Sequence, residues 1–199
     1  MSTTGLRARR KQQARELIAA AAARLFAEHG YERVAVIDVA RAADVSEQTV
    51  YNHFPTKEHL VLDRDEELRD RLVDRIRSRP AGVSPAAAIR QDALSWVAAL
   101  ASLPAEQVRG GLGYLGVRSR TVRRLSLEMT DRHADAIATA LRDTTPQPAV
   151  AKLHAIAIAW VFQTVTDETG RRTEHGHAPA QIARELRPIV AAMVDALDA

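Results

Sequence analysis

The sequence predicts an all-α protein of about nine helices, with an N-terminal helix-turn-helix head and a larger helical body behind it. Three observations carry that prediction. Apolar residues recur at spacings of three and four along most of the 199 residues, the pattern of helices with one buried face. Strand patterns are nearly absent: the only β-like fragment, YERVAVIDV, is short and runs directly into a helical pattern. Helix punctuation falls where the periodic runs end, at Gly30, Ser46, Pro55, Ser84-Pro85, Pro104 and the segment TTPQP.

The elements follow in order. Leu17, Ile18, Ala21, Ala22, Leu25 and Phe26 predict a first helix over about 11–28, stopped at His29-Gly30 with Gly30 suited to a left-handed C-cap. A second helix buries Val36, Val39, Ala40 and Ala43. Asp44 takes the turn, where aspartate tolerates the left-handed conformation better than most residues. Ser46 caps a third helix anchored by Val50 and Phe54. Pro55 ends it, and Thr56 caps one long fourth helix through about Arg77 with Leu60, Val61, Leu68, Leu72 and Ile76 as its stripe. On that helix Asp65 with Arg69, and Glu67 with Arg71, predict a solvated, salt-bridged face. Helices over about 85–103, 121–142, 150–169 and 180–197 follow, with an irregular stretch after Pro104 and the polar loop GRRTEHGHAP before the last helix. The expected division is a head over 1–55 and a body over 56–199, the body's size being ample for its own core.

Composition narrows the class. Hydrophobic residues are 46% and charged residues 27%, a soluble globular balance. There is no cysteine, hence no disulfide framework and no thiolate metal site. The apolar runs are short and the N-terminus lacks an apolar h-region, so the expectation is a cytoplasmic protein without a membrane partner. Net charge is only +3, but Arg7, Arg9, Arg10, Lys11 and Arg15 all precede the first acid, Glu16. A basic arm on a nearly neutral body suits an anionic polymer; a solvated tail has the same composition.

Residues 36–54, VIDVARAADVSEQTVYNHF, then read as helix, tight turn and helix, a unit that lays its second helix in the DNA major groove. The outward residues Glu47, Gln48, Thr49, Asn52 and His53 are polar and mostly short. Glutamine and asparagine can grip adenine, and the threonine methyl can touch a thymine methyl. Glu47 fits the helix N-terminus better than a base. Lys57 opens the next helix, where backbone N–H groups favour a phosphate.

With Phe26, Gly30-Tyr31, the unit from Val36, and then Tyr51, His53, Phe54, Thr56, Lys57, Glu58 and Leu60 in register, the first third of the chain resembles the TetR/AcrR family of transcriptional regulators. Two positions depart from its pattern: Ala35-Val36 stand where threonine is usual, and Asp44 where glycine is usual. The resemblance implies phosphate contacts from Tyr51 and His53, and with the residues above gives a DNA-binding set of Arg7, Arg9, Arg10, Ser46, Gln48, Thr49, Tyr51, Asn52, His53 and Lys57. It also implies a ligand-responsive homodimer, with the last two helices of each chain pairing into a four-helix bundle.

The body is less legible. The segment AVAKLHAIAIAWVFQTV is apolar on nearly every face, which predicts burial all round: core or cavity on one side, a partner subunit on the other. The expected dimer contacts are Val150, Leu153, Ala157 and Val161, with Ile182, Leu186, Ile189, Val190, Met193 and Leu197 from the last helix, which Pro188 bends. A mostly apolar effector site is expected near Trp96, Leu100, Tyr114, Arg118, Met129, His133, Trp160 and Phe162.

Other patterns carry less. Gly111-Leu112-Gly113-Tyr114-Leu115-Gly116 is a literal GxGxxG, but a dinucleotide fingerprint needs a preceding strand in a βαβ unit, so flexibility or close helix packing is the expected role. Glu174, His175 and His177 lack the further ligands of a metal site. No catalytic constellation is present, and no cofactor or metal is implied. The expected function is a regulator, most simply a repressor, that binds a pseudopalindromic operator on double-stranded DNA as a homodimer and is released by a small molecule. Two rivals from other classes are a nucleotide-binding enzyme using the 111–116 segment and a helical interaction protein without operator binding.

Overall fold

The computed structural model describes residues 3–145 and 147–198, with side chains described from residue 9 onward. Among these residues there are eleven helices and no strand. The head comprises α1 (Thr3–His29), α2 (Val36–Ala42) and α3 (Glu47–His53). α1 starts well before the expected position, because no proline or β-branched run lies between Leu6 and Lys11; the basic arm is therefore continuous with the helix. Gly30, at φ 81°, ends α1 by donating its N–H to the Phe26 carbonyl at 2.9 Å. Ile18, Ala22, Phe26, Tyr31, Val34, Val39, Val50 and Phe54 form the head's buried core.

The single long fourth helix does not form. It is broken into α4 (Lys57–Val61) and α5 (Asp65–Arg77). The break lies at Leu62–Arg64, where the Asp65 N–H turns back to the Leu62 carbonyl at 3.0 Å. Its cause is that one apolar stripe serves two cores: Leu60 packs into the head, whereas Leu68, Leu72 and Ile76 pack into the body. The i, i+4 salt-bridged face is also replaced. Asp65 pairs with Arg132 and His133, Arg69 with the adjacent Asp70, and Arg71 with Asp92.

α6 (Pro85–Leu100) starts at Ser84, whose Oγ accepts from the Ala87 N–H at 3.0 Å. The irregular stretch resolves into two short helices, α7 (Ala105–Arg109) and α8 (Leu112–Arg118). α9 (Arg120–Leu141), α10 (Pro148–Glu174) and α11 (Pro179–Asp198) complete the body. α10 runs further than expected, taking in residues 170–174 of the anticipated loop; Pro188 lies within α11.

The body core draws on α5, α6, α9, α10 and α11, with Leu72, Ile89, Ile137, Ile158, Phe162 and Leu186 among its buried members. By length and composition α10 is apolar enough to cross a membrane, contrary to the sequence reading. Its apolar residues Ala155, Ile158, Ala159, Phe162 and Val165 are buried inside the body, which accounts for that composition.

Head and body interlock beyond the chain connection. Leu115 of α8 and Val122 of α9 are buried in the head's core. Ser119, which caps α9 by accepting from the Val122 N–H, also donates its hydroxyl proton to Glu32. A Cβ added at Gly110 would collide with the Ala23 backbone, so α7 lies directly on α1.

Candidate nucleic-acid interface

The departure at Ala35-Val36 is offset locally. With no threonine to cap α2, the Asp38 carboxylate reaches back and accepts the Ala35 N–H at 2.9 Å, satisfying one donor at the helix start. At the turn, Asp44 adopts φ 55°, the left-handed conformation the sequence required there. Ser46 then accepts the Thr49 N–H at 3.1 Å, and its hydroxyl lies 2.8 Å from the Thr49 hydroxyl. That contact occupies the Thr49 hydroxyl and leaves the methyl as its other surface.

Val50 and Phe54 are buried, fixing which face of α3 turns outward. Gln48, Tyr51 and Asn52 are exposed on that face, while Thr49 and His53 are half-buried. Gln48 Nε2 donates to Asn52 Oδ1 at 3.1 Å. The pair still offers the Gln48 carbonyl and the Asn52 amide protons, the acceptor and donors that an adenine edge in the major groove requires. Glu47 lies in the first turn of α3, as its charge suits.

The flanking cations differ in role. Arg9 and Arg10 are exposed on α1; the Arg7 side chain lies outside the described residues. Arg15, counted with the arm in sequence, is a clasp. Its guanidinium donates to the His53 and Asp63 carbonyl oxygens at 2.9 Å each and sits 4.5 Å from the Phe54 ring centroid. Lys57 holds its ammonium 4.2 Å over the Tyr31 ring, and burial lowers its pKa despite Glu32 and Glu58 nearby. Burial, then Glu58, pushes the Tyr31 phenol up to about 12, so it remains a neutral donor to Glu58. Burial, then Lys11 and Arg15, lowers the His53 pKa, so near neutral pH this side chain offers a phosphate a hydrogen bond without a charge.

The residues expected to line an effector site do not all converge. Trp96 meets Phe162 edge to face at 6.4 Å, and Leu100 packs on the same core. Met129 and His133 are buried on α9. Tyr114 and Arg118 stand apart from these, with Arg118 over the Tyr114 ring and bonded to Glu174 at 2.9 Å. Trp160 faces outward and is 42% exposed, because it lies on the opposite side of α10 from Phe162. The sequence reading missed a buried polar group between α9 and α10: Ser126 and Thr130 both donate to Gln163 Oε1, at 2.9 and 2.7 Å. Polar residues four apart on an otherwise apolar stripe were the available signal.

The dimer residues also divide. Val150, Leu153, Ile189 and Leu197 are exposed, and Ala157 and Met193 are half-buried. Val161, Ile182, Leu186 and Val190 are instead buried in the protomer's own core, where they hold α10, α11 and α6 together. Ile156 and Trp160, absent from the expected set, join Leu153 on the outer face of α10.

The nucleotide motif resolves as packing. Gly111 precedes α8, and Gly113 meets Gly170 of α10 backbone to backbone, so that a Cβ on either would collide with the other helix. Glu174 bonds Arg118, His175 turns to the Arg171 carbonyl, and His177 faces Glu185 at 3.4 Å, so the three do not converge on one point.

A capped recognition helix with a polar outer face, set behind a basic first helix and joined to a larger helical body, defines the helix-turn-helix class of transcriptional regulator. Residues 18–63 match the family model for bacterial regulatory proteins of the tetR family. Over 81 residues the chain is 32% identical to the HTH-type transcriptional regulator TcmR of Streptomyces glaucescens, a match covering 41% of this chain and 36% of that protein. The chain thus aligns with only about a third of the length of that curated relative. Among solved structures, SmeT in complex with triclosan is 19% identical, with a TM-score of 0.60 over 92% of this chain and 90% of that one. NalD of Pseudomonas aeruginosa, the secondary repressor of the MexAB-OprM multidrug efflux pump, is 18% identical, with a TM-score of 0.57 over 92% and 97%. The head thus matches the TetR family model, and 92% of the chain shares the fold of these structures.

Proposed function

We propose that the protein is a ligand-responsive repressor that binds a pseudopalindromic operator as a homodimer and is released by a small, mostly apolar effector. The observation that carries this reading is the outward face of α3, where the Ser46 cap and the buried Val50 and Phe54 turn Gln48, Thr49, Tyr51 and Asn52 away from the head's core. Pairing of two heads is supported by the outer face of α10 and α11, where Leu153 is 64% and Ile189 41% exposed beside Ile156 and Trp160. Covering such a face requires an apolar partner, and a second copy supplies one by symmetry. Two recognition helices about 34–36 Å apart would enter successive major grooves. The repressor sense and the small effector draw on the likeness to NalD and to the SmeT–triclosan complex. The apolar core around Trp96 and Phe162, with Gln163 and its two hydroxyl partners as polar anchors, is where such a molecule would insert.

The test is a mutant series on an operator selected from random DNA. Gln48→Ala and Asn52→Ala should each cost about 1–3 kcal/mol and relax preference at the base pair they read. A uniform loss across all sequences from both variants would contradict the assignment of base contacts to them.

Phosphate contacts have a different signature. Lys57→Ala and Arg10→Ala should weaken binding to all sequences and lower the slope of log K against log salt by about one each. His53→Gln should leave that slope unchanged at pH 7.5, because the lowered pKa keeps the imidazole neutral there. A slope reduced as much by His53→Gln as by Lys57→Ala would show a charged histidine on the DNA.

The polar outer face of α3, with Gln48 and Asn52 exposed on it, supports this reading over an interaction protein without operator binding. The enzyme reading loses its motif to the Gly113–Gly170 contact.

A further inference from the structure

The break between α4 and α5 places two carboxylates on either side of Arg64, and each is held by a different part of the molecule. Asp63 is held by the head: Arg15 Nη2 lies 2.6 Å from its Oδ1 and donates to its carbonyl oxygen at 2.9 Å. The same guanidinium donates through Nη1 to the carbonyl oxygen of His53, the last residue of α3. Asp65 is held by the body: His133 Nε2 lies 2.5 Å from Oδ1, and Arg132 Nη2 donates to Oδ2 at 3.1 Å. His133 is fully buried and the Asp65 side chain is only 11% exposed. These are not the interchangeable ion pairs of an exposed helix face, because each has one fixed partner set across a tertiary contact.

We infer that Asp63 and Asp65 are positioning residues that couple α9 of the body to the C-terminal end of the recognition helix, through Asp65, the three-residue break, Asp63 and Arg15. The inference rests on the reading of α3 as the groove-entering helix. The chain of contacts is short and each link is directional. α9 bonds Gln163 of α10 through Ser126 and Thr130, and one turn further along it bonds Asp65. A displacement of α9 against α10 moves Asp65, and the turn bond from the Asp65 N–H to the Leu62 carbonyl spans the break, so Asp63 inside that turn is carried along. Arg15 cannot follow Asp63 without shifting its bond to the His53 carbonyl, one of the carbonyls that the C-terminal end of α3 leaves without a helical donor.

Hydrogen–deuterium exchange on the full-length protein, without DNA or effector, tests the coupling independently of the proposed function. In Asp65→Asn, the amides of residues 50–54 should exchange about tenfold faster, the loss expected for one weakened charge-assisted bond, while those of mid-α1 stay unchanged. Arg15→Lys should accelerate the same amides, and the double variant should show less than the product of the two single effects. Asp65→Glu should restore slow exchange at 50–54. If Asp65→Asn does not fold, Arg132→Gln, at a half-exposed position, should give a smaller change at the same amides. Acceleration confined to α5 and α9, or spread equally over the chain, would show that Asp65 serves only the body's stability and would overturn the inference. A protein that passed this test yet bound no DNA would instead count against the proposed function alone.

Discussion

Gly170→Ala is expected to destabilise the body by about 1–3 kcal/mol, the range for forcing extra carbon into a packed contact. The added methyl would meet the Gly113 carbonyl and the Tyr114 backbone, which cannot rotate aside as a side chain could. Gly113→Ala should do the same from the other side, against the Thr166 carbonyl. Urea unfolding of the full chain measures both. Gly116→Ala is the internal control: its Cβ would approach only the Arg123 backbone at 3.9 Å, so better helix propensity should make it neutral or stabilising by up to about 1 kcal/mol. If Gly113→Ala and Gly170→Ala unfold like wild type, α8 and α10 are not in backbone contact and the packing explanation of the GxGxxG segment fails.

Leu153→Asp combined with Ile189→Asp is expected to yield a folded monomer with operator affinity lowered by about 10²- to 10⁴-fold, the advantage of linked over single-site binding. Both side chains point away from the protomer's core, so far-ultraviolet dichroism should not change. Sedimentation gives the mass and gel shifts give the affinity. Val161→Asp or Leu186→Asp would be uninformative, because those residues lie in the protomer's own core and their loss would unfold it. A doubly substituted protein that sedimented as a dimer would place the pairing surface elsewhere.

The head was legible in sequence because its signals are local. Gly30, Asp44 and Ser46 each declare a backbone conformation or cap within a few residues, and each adopts it. The same locality misled at α4 and α5: every periodic position from Leu60 to Ile76 fits one helix, and only the tertiary structure shows that Leu60 and Leu68 serve different cores. Asp65 has the same lesson at the level of one side chain. Its i+4 neighbour Arg69 was the obvious partner, but a buried histidine and an arginine from α9 hold it instead. Periodicity correctly marked α10 as apolar all round, yet it could not assign Val161 to the inner face and Trp160 to the outer, since that depends on where α6, α9 and α11 pack. Arg15 shows the limit of charge counting: counted in sequence with the basic arm, it is bound to two backbone carbonyls and is spent on the fold.

The most direct test of the central claim is selection of DNA from a random duplex pool by the full-length protein, followed by footprinting on the enriched sequence. The account predicts an enriched pseudopalindrome whose half-sites are about 10–10.5 base pairs apart or a multiple of that, with enrichment lost in Asn52→Ala. Retention of DNA without any sequence enriched, or enrichment that survives Asn52→Ala unchanged, would contradict it.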